Sequence, residues 1–379
     1  MGIRMRYYYH IVVTGIAVIR DEGWGSFWAI FKEWLLQNTS PTLKLLWWRS
    51  TGWFSRAGDA VPPCYQHAGP SYMDVRGERI AAQQHREIDI IVCVHNALED
   101  VKLCLASIRR TRKTERQRLI IIDDGSHRTT AQYLKEFAAS ASWVELHRND
   151  QALGYTKAAN QGLAASSGEL VILLNSDTIV TDGWAEKMAD AVFSTPGAGI
   201  VGPMSNAAQH QSIPEHRGSK DQTAINQLPP GLTAEDMNRY CEQWTAAHSL
   251  PEVPRVHGFC FGVTREVIKK VGFFDEHSFP NGYGEEYDYC FRAADAGFGL
   301  VIATHTFIFH AKSRSYSDPA RLALTQAGLE ALARRHGRAR IRRTVRSAQQ
   351  DPILRGLRQR AWILASQCSA AQTSTHRDE

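Results

Sequence analysis

The chain has 379 residues, 43% hydrophobic and 22% charged, with a net charge of +5, which fits a soluble globular protein of one large or two modest domains. Its seven cysteines (Cys64, Cys93, Cys104, Cys241, Cys260, Cys290, Cys368) are scattered without a C-x-x-C pair. That excludes a disulfide framework or a cysteine zinc site and fits a reducing cytosol. The best apolar stretch, Ile11 to Ile19, ends at Arg20-Asp21-Glu22 without a small-residue cleavage site, so neither a membrane span nor export is expected.

Residues 1–85 hold six of the ten tryptophans, and Trp24, Trp28, Phe31 and Leu35 recur at helical spacing, so a helical extension is predicted there. Pro62-Pro63 marks a break within it. From Ile88 strands and helices alternate. Ile88 to Val94 reads as a buried strand, and Leu98, Val101, Leu105 and Ile108 follow at helical spacing. Leu119 to Ile122 is a second strand, Tyr133 to Ala139 a helix, and Val144 to Leu146 a third strand. A helix from Tyr155 to Ser166 leads to a fourth strand, Leu170 to Leu174. This alternation predicts an α/β fold with a mostly parallel sheet flanked by helices. Residues 205–255 lack clear periodicity and are predicted to be a long, partly mobile insertion. Leu322 to Arg360 reads as helix interrupted at Pro352, with ten arginines and one acid between Ala333 and Arg360.

The polar punctuation falls at strand ends: His95-Asn96, Asp123-Asp124-Gly125-Ser126 and Asn175-Ser176-Asp177. Ligands gather beyond the carboxyl ends of parallel strands, so these groups are expected to share one crevice. Acids at strand ends also cap helices, the competing reading for any one of them. Glu285, Glu286 and Asp288 form the densest acidic cluster, between Gly282, Gly284 and Arg292. Such crowding is unfavourable unless a cation, a helix N-terminus or hydrogen bonds offset it, which favours a functional site.

The run from Ile88 to Tyr316 resembles the family 2 glycosyltransferases of GT-A fold, especially bacterial rhamnosyl- and O-antigen-type transferases. The resemblance rests on Val94-His95-Asn96, Ile122-Asp123-Asp124-Gly125-Ser126, Asn149 through Gly162, Leu173 to Asp177, Gly282 to Arg292, and Phe309 to Tyr316, in that order. It implies a GT-A-like domain at 86–316, between the extension at 1–85 and a basic helical tail at 317–379. It also implies an inverting transfer from a nucleoside diphosphate-sugar, dTDP- or UDP-linked, to a glycan or lipid-linked glycan in cell-surface synthesis.

By that resemblance Asp177 is the principal carboxylate on a divalent cation, Mg²⁺ or Mn²⁺, with His310 a further ligand or phosphate contact. Such a cation suits the developing diphosphate charge. Asn96, Asp123, Asp124, Gly154, Asn160 and Asn175 are expected around the donor. Asn175 replaces the first acid of the family's D-x-D. An acceptor hydroxyl needs a carboxylate base. The resemblance assigns that to Glu286, with Glu285 kept open beside it and Asp288 in the same acidic set. A catalytically inactive sugar-nucleotide-binding subunit is the alternative. A sugar nucleotidyltransferase is disfavoured, because His95-Asn96-Ala97-Leu98-Glu99-Asp100 lacks a Gly-rich basic loop. The expected location is cytoplasmic. The arginine-rich tail and the tryptophans suit an inner-membrane surface or a packed helical shell, and no nucleic-acid partner is expected.

Overall fold

The structure, a computed structural model, describes residues 85–218, 223–245, 250–312 and 318–375, which fall in one compact unit. The tryptophan-rich helices predicted before residue 85 and the motif residues Ser313 to Tyr316 lie outside the described residues.

The strands are β1 (Ile88–Val94), β2 (Gln117–Asp124), β3 (Val144–Asn149), β4 (Leu170–Asn175), β5 (Thr178–Ile179), β6 (Ala198–Ser205), β7 (Cys260–Thr264) and β8 (Gly299–His310). The helices are α1 (Leu98–Thr111), α2 (Arg128–Ala139), α3 (Tyr155–Ala165), α4 (Trp184–Ser194), α5 (Ala234–Thr245), α6 (Arg265–Val271), α7 (Glu285–Asp295), α8 (Asp318–His336), α9 (Arg338–Gln350) and α10 (Pro352–Thr375). The strands form a sheet in the order β3-β2-β1-β4-β7-β6-β8-β5. Pairing is parallel from β3 to β4 and between β6 and β8; β7 runs antiparallel to both its neighbours, as does β5 to β8. The α/β expectation holds, with a mixed rather than uniformly parallel sheet.

Strand alternation divides the core between the two sheet faces. Ile88, Ile90, Val92 and Val94 of β1 join the cluster containing Val101, Leu105 and Ile108 of α1 and Trp184 of α4. Ile91 joins the other cluster, with Ala159 and Leu163 of α3 and Tyr289 of α7. A strand buried on both faces reads as a continuous apolar run, which is why β1, β2 and β4 were legible.

The stretch 205–255 departs from expectation. Within it Ile213, Met237, Cys241, Trp244 and Val253 are buried in the same cluster as α3. Their apolar positions are separated by polar residues that are themselves buried, such as His210, Gln211, Asn238 and Glu242. That mixture hides the periodicity on which the reading relied. Asn238 and Glu242 accept hydrogen bonds from the wholly buried Lys187 of α4, both at 2.9 Å. The tail also packs inward, Leu354, Leu357 and Leu364 of α10 being buried in that same cluster. Pro352 opens α10, a position where its missing N–H costs nothing.

Candidate active site

Strands β1, β2, β3, β4, β6 and β8 run in one direction and leave their carboxyl ends on one edge of the sheet. The predicted residues occupy three neighbouring parts of that edge.

Beyond β1, β2 and β3 the polar residues are tied to one another. Asn96, in the left-handed region at φ 61, donates its backbone N–H to Ser126 Oγ at 2.9 Å and accepts the His127 N–H at 2.8 Å. His95 Nδ1 lies 2.8 Å from the Asp124 carbonyl oxygen, which only accepts, so Nδ1 carries the proton. Asp123 is wholly buried, accepting from the Ser126 N–H and from Arg148. Asp124 accepts from Asn149 Nδ2 (2.9 Å) and the Leu153 N–H (2.8 Å) on one oxygen, and from the Gly154 N–H (3.0 Å) on the other. It thereby fixes the loop between β3 and α3. Gly125 (φ 66) is required where that loop passes, since a Cβ there would lie 2.4 Å from the Ala152 nitrogen.

Two expectations change here. A Cβ on Gly154 (φ 95) would meet the Pro280 carbonyl oxygen at 2.7 Å, so its bareness admits the 280–281 segment. Asn160 is committed to Phe274: its Nδ2 donates to the carbonyl and its Oδ1 accepts the N–H, both at 3.0 Å. With its amide paired to backbone, Asn160 clamps α3 to the segment before α7 instead of addressing a ligand.

Beyond β4 and β8 the arrangement is more open. The Asn175 backbone bonds the Phe259 carbonyl (2.8 Å), while its side-chain amide makes no hydrogen bond among the described residues. His310, the last residue of β8, pairs in register with Thr178 and so stands beside Asp177. His310 Nε2 lies 3.4 Å from Asp177 Oδ1. Its other nitrogen, Nδ1, donates to the Ala207 carbonyl at 2.9 Å, and its ring stacks on Phe259 at 5.2 Å. Fixing one imidazole N–H on a backbone carbonyl leaves the opposite nitrogen aimed at the ligand position, as in metal-binding histidines generally. Asp177 and His310 thus fit a hard dication that keeps phosphate and water as its remaining ligands. Among the described residues no group of three or more His, Cys, Asp or Glu collects.

The third part is the start of α7. Glu285 is buried and its carboxylate accepts the Gly284 N–H at 3.0 Å. Glu286 is partly buried, its carboxylate facing the backbone N–H groups at the start of α7. It packs over Gly258, where a Cβ would stand 3.2 Å from Glu286 Cγ. Both carboxyls are raised above the ordinary range, by burial first; the charge of Glu286 adds to the effect on Glu285. Arg255 opposes the shift at Glu286. This arginine is 4% exposed, with its guanidinium 4.3 Å over the Tyr287 ring. Asp288 faces elsewhere, and its expected place in the acidic set is corrected. It is wholly buried and accepts from Arg292 Nε (2.7 Å) and His336 Nε2 (2.8 Å), with Arg335 Nε at 3.3 Å. Two residues along the helix from Glu286, about 200° of rotation, it points across α7 toward α8.

Residues 89–272 match the family described as Glycosyl transferase family 2. That match spans 184 of the 379 residues, just under half of the chain. The chain is 23% identical over 217 residues to glycosyltransferase AglE of Haloferax volcanii, covering 57% of this chain and 64% of the relative. A pre-mycofactocin glycosyltransferase of Mycobacterium tuberculosis is 24% identical over 257 residues, covering 66% and 48%. The chain thus spans about half to just under two thirds of these relatives. In fold it is similar to mannosyltransferase PcManGT from Pyrobaculum calidifontis, solved with GDP-Man and Mn²⁺, at TM-score 0.50 and 16% identity over 87% of this chain and 82% of that one. The family 2 match ends before Glu285 and His310, so those residues stand here on geometry and on the motif resemblance.

Sequence reasoning passed over Arg255, His257 and Tyr155. His257 lies 6.4 Å from His310 between ring centres, and its imidazole is held well below the ordinary range by burial, then by Lys312 and Arg255. The Tyr155 phenol is pushed well up, by burial first and then by Cys93 and the two glutamates. The one available signal was Gly258, a glycine beside His257 that implied close approach.

Proposed function

We propose that this chain transfers a sugar from a nucleoside diphosphate-sugar to a hydroxyl acceptor, with a divalent cation at Asp177 and His310 and with Glu286 as general base. The observation that carries this reading is the Asp177–His310 pair, 3.4 Å apart, with Nδ1 of His310 pinned by Ala207. The Mn²⁺ and GDP-Man named for the mannosyltransferase of similar fold support it.

A cation bound there offsets the negative charge that develops on the departing diphosphate. The acceptor oxygen forms the new bond to the anomeric carbon. The bond from that carbon to the diphosphate oxygen breaks, its electron pair leaving with the nucleoside diphosphate. Glu286 receives the acceptor proton. Its carboxylate is less buried than that of Glu285, whose oxygen is held by the Gly284 N–H, which favours Glu286. A single displacement of this kind inverts the anomeric centre. The loop fixed by Asp123 and Asp124 walls the nucleoside side, with Asn96 and Asn175 beside it. The acceptor class, a glycan or lipid-linked glycan, follows the family resemblance. Arg334, Arg338 and Arg343 are exposed on α8 and α9, which supports contact of that face with an anionic membrane surface.

The direct test is a thermal-shift panel of nucleoside diphosphates and their sugars, with and without Mn²⁺ or Mg²⁺, followed by transfer assays. A ligand at 100 times its Kd stabilises the native state by about 2.7 kcal/mol, a visible shift. A cation-dependent shift with one nucleotide base is expected. A folded protein that responds to none of them removes the proposal.

A pH profile tests the role of Glu286 further. A base works only when ionised, so turnover falls as pH drops through its raised pKa. Arg255 partly offsets the raising effect of burial. Arg255→Met is therefore expected to move the acid limb of kcat to higher pH, and Arg255→Lys to move it less. An unmoved limb in a folded Arg255→Met protein would detach Arg255 from Glu286.

A further inference from the structure

Three consecutive residues before the acidic pair have positive φ: Gly282 (85°), Tyr283 (65°) and Gly284 (140°). Tyr283 is a bulky residue in the left-handed region, a conformation that persists only when the surroundings impose it. Those surroundings come from two sides. On the α3 side, the Gly282 N–H donates to Thr156 Oγ1 at 3.2 Å. On the other side lies α8, beyond the family 2 match. A Cβ on Gly328 of α8 would stand 1.7 Å from the Tyr283 carbonyl oxygen, so that oxygen rests directly against the helix backbone. Leu332, one turn further, is buried, and its side chain lies 3.3 Å from where a Cβ on Gly284 would be. The end of α8 is tied to the same region: Arg335 pairs with Asp275 at 2.6 Å and His336 with Asp288 at 2.8 Å.

We infer that α8 is a clamp on the 282–284 loop, and that Gly328 and Leu332 are positioning residues which set where Glu285 and Glu286 stand in the crevice. The inference rests on the proposed transfer reaction. A glycine inside a helix ordinarily weakens it, so its place here is explained by the contact it permits. Among the described residues Gly328 stands against Tyr283 and Leu332 packs with Phe279, Tyr287 and Phe291, so their effect falls on turnover and not on donor capture.

The test uses the full chain with the nucleotide-sugar that the wild type transfers. Gly328→Ala inserts a methyl group against the Tyr283 carbonyl, and Leu332→Ala removes the packing on Gly284. Both are expected to lower kcat, Gly328→Ala by about 100-fold, the scale of an ångström-level misplacement. The Kd for the nucleoside diphosphate with Mn²⁺ should stay within about twofold. A residue with a purely structural role would lower Tm while leaving kcat unchanged below the melting range. If Gly328→Ala does not fold, Leu332→Ala decides alone. A wild-type chain that transfers, with both folded variants at wild-type kcat, overturns the clamp. So does a loss of nucleotide binding that matches the loss of kcat. A wild type without transfer from any donor sinks the underlying reaction instead.

Discussion

Asp177→Ala is expected to abolish cation-dependent transfer, lowering kcat by about 1,000-fold or more while the chain stays folded. A charged ligand that neutralises a leaving diphosphate contributes several kcal/mol in the transition state, and about 4 kcal/mol corresponds to about three orders of magnitude. The fold should tolerate the change. The Asp177 backbone carbonyl accepts the Ala311 N–H at 2.9 Å, a bond that alanine keeps. The predicted signature is double: loss of turnover, and loss of the Mn²⁺-dependent part of nucleotide binding in calorimetry. His310→Ala should share it in weaker form, because Nε2 is a neutral ligand. Retained Mn²⁺-dependent binding in folded Asp177→Ala protein would place the cation elsewhere.

Glu286→Gln is expected to separate chemistry from binding. General-base catalysis contributes about 10² to 10⁴ in rate, so kcat should fall within that range while nucleotide Kd changes little. Glutamine preserves the packing over Gly258 and removes only the proton acceptor. In the wild type, burial raises the Glu286 carboxyl, so the acid limb of kcat should lie above the ordinary carboxylate range. That limb should disappear from the residual rate of the variant. Because Glu285 sits beside it and is raised by burial and by the Glu286 charge, the two carboxyls titrate as a pair. Glu285→Gln should cost less in rate than Glu286→Gln. Wild-type turnover in folded Glu286→Gln would pass the role to Glu285.

These effects would also separate the two readings left by the sequence. A binding subunit without turnover would show the nucleotide shift and none of the rate changes.

Much of the site was visible as residue types at strand ends. Asp123, Asp124, Asn175 and Asp177 follow uninterrupted apolar runs, and a parallel strand buried on both faces produces such runs without help from its neighbours. The start of α7 was visible for a similar reason: acids crowded between glycines need an offset that a helix N-terminus supplies. Asp288 and Asn160 show where this reasoning stops. Spacing along the chain places Asp288 with Glu285 and Glu286, yet helical rotation turns it toward His336 and Arg292. Asn160 carries an amide suited to a ligand, but the Phe274 backbone satisfies it first.

By itself the sequence determined the strand–helix alternation, the edge on which polar groups gather, and the identity of the acids there, because these follow from local hydrophobic pattern and strand direction. Only the tertiary structure decided which groups meet. It brought His310 to Asp177 through the pairing of β5 with β8, buried Arg255 beside the acidic helix, packed the 205–255 stretch into the core, and laid Gly328 against Tyr283. Each of those contacts joins segments far apart in sequence. Their closeness depends on strand order and on how a polar side chain is satisfied inside the fold, and no local spacing encodes either.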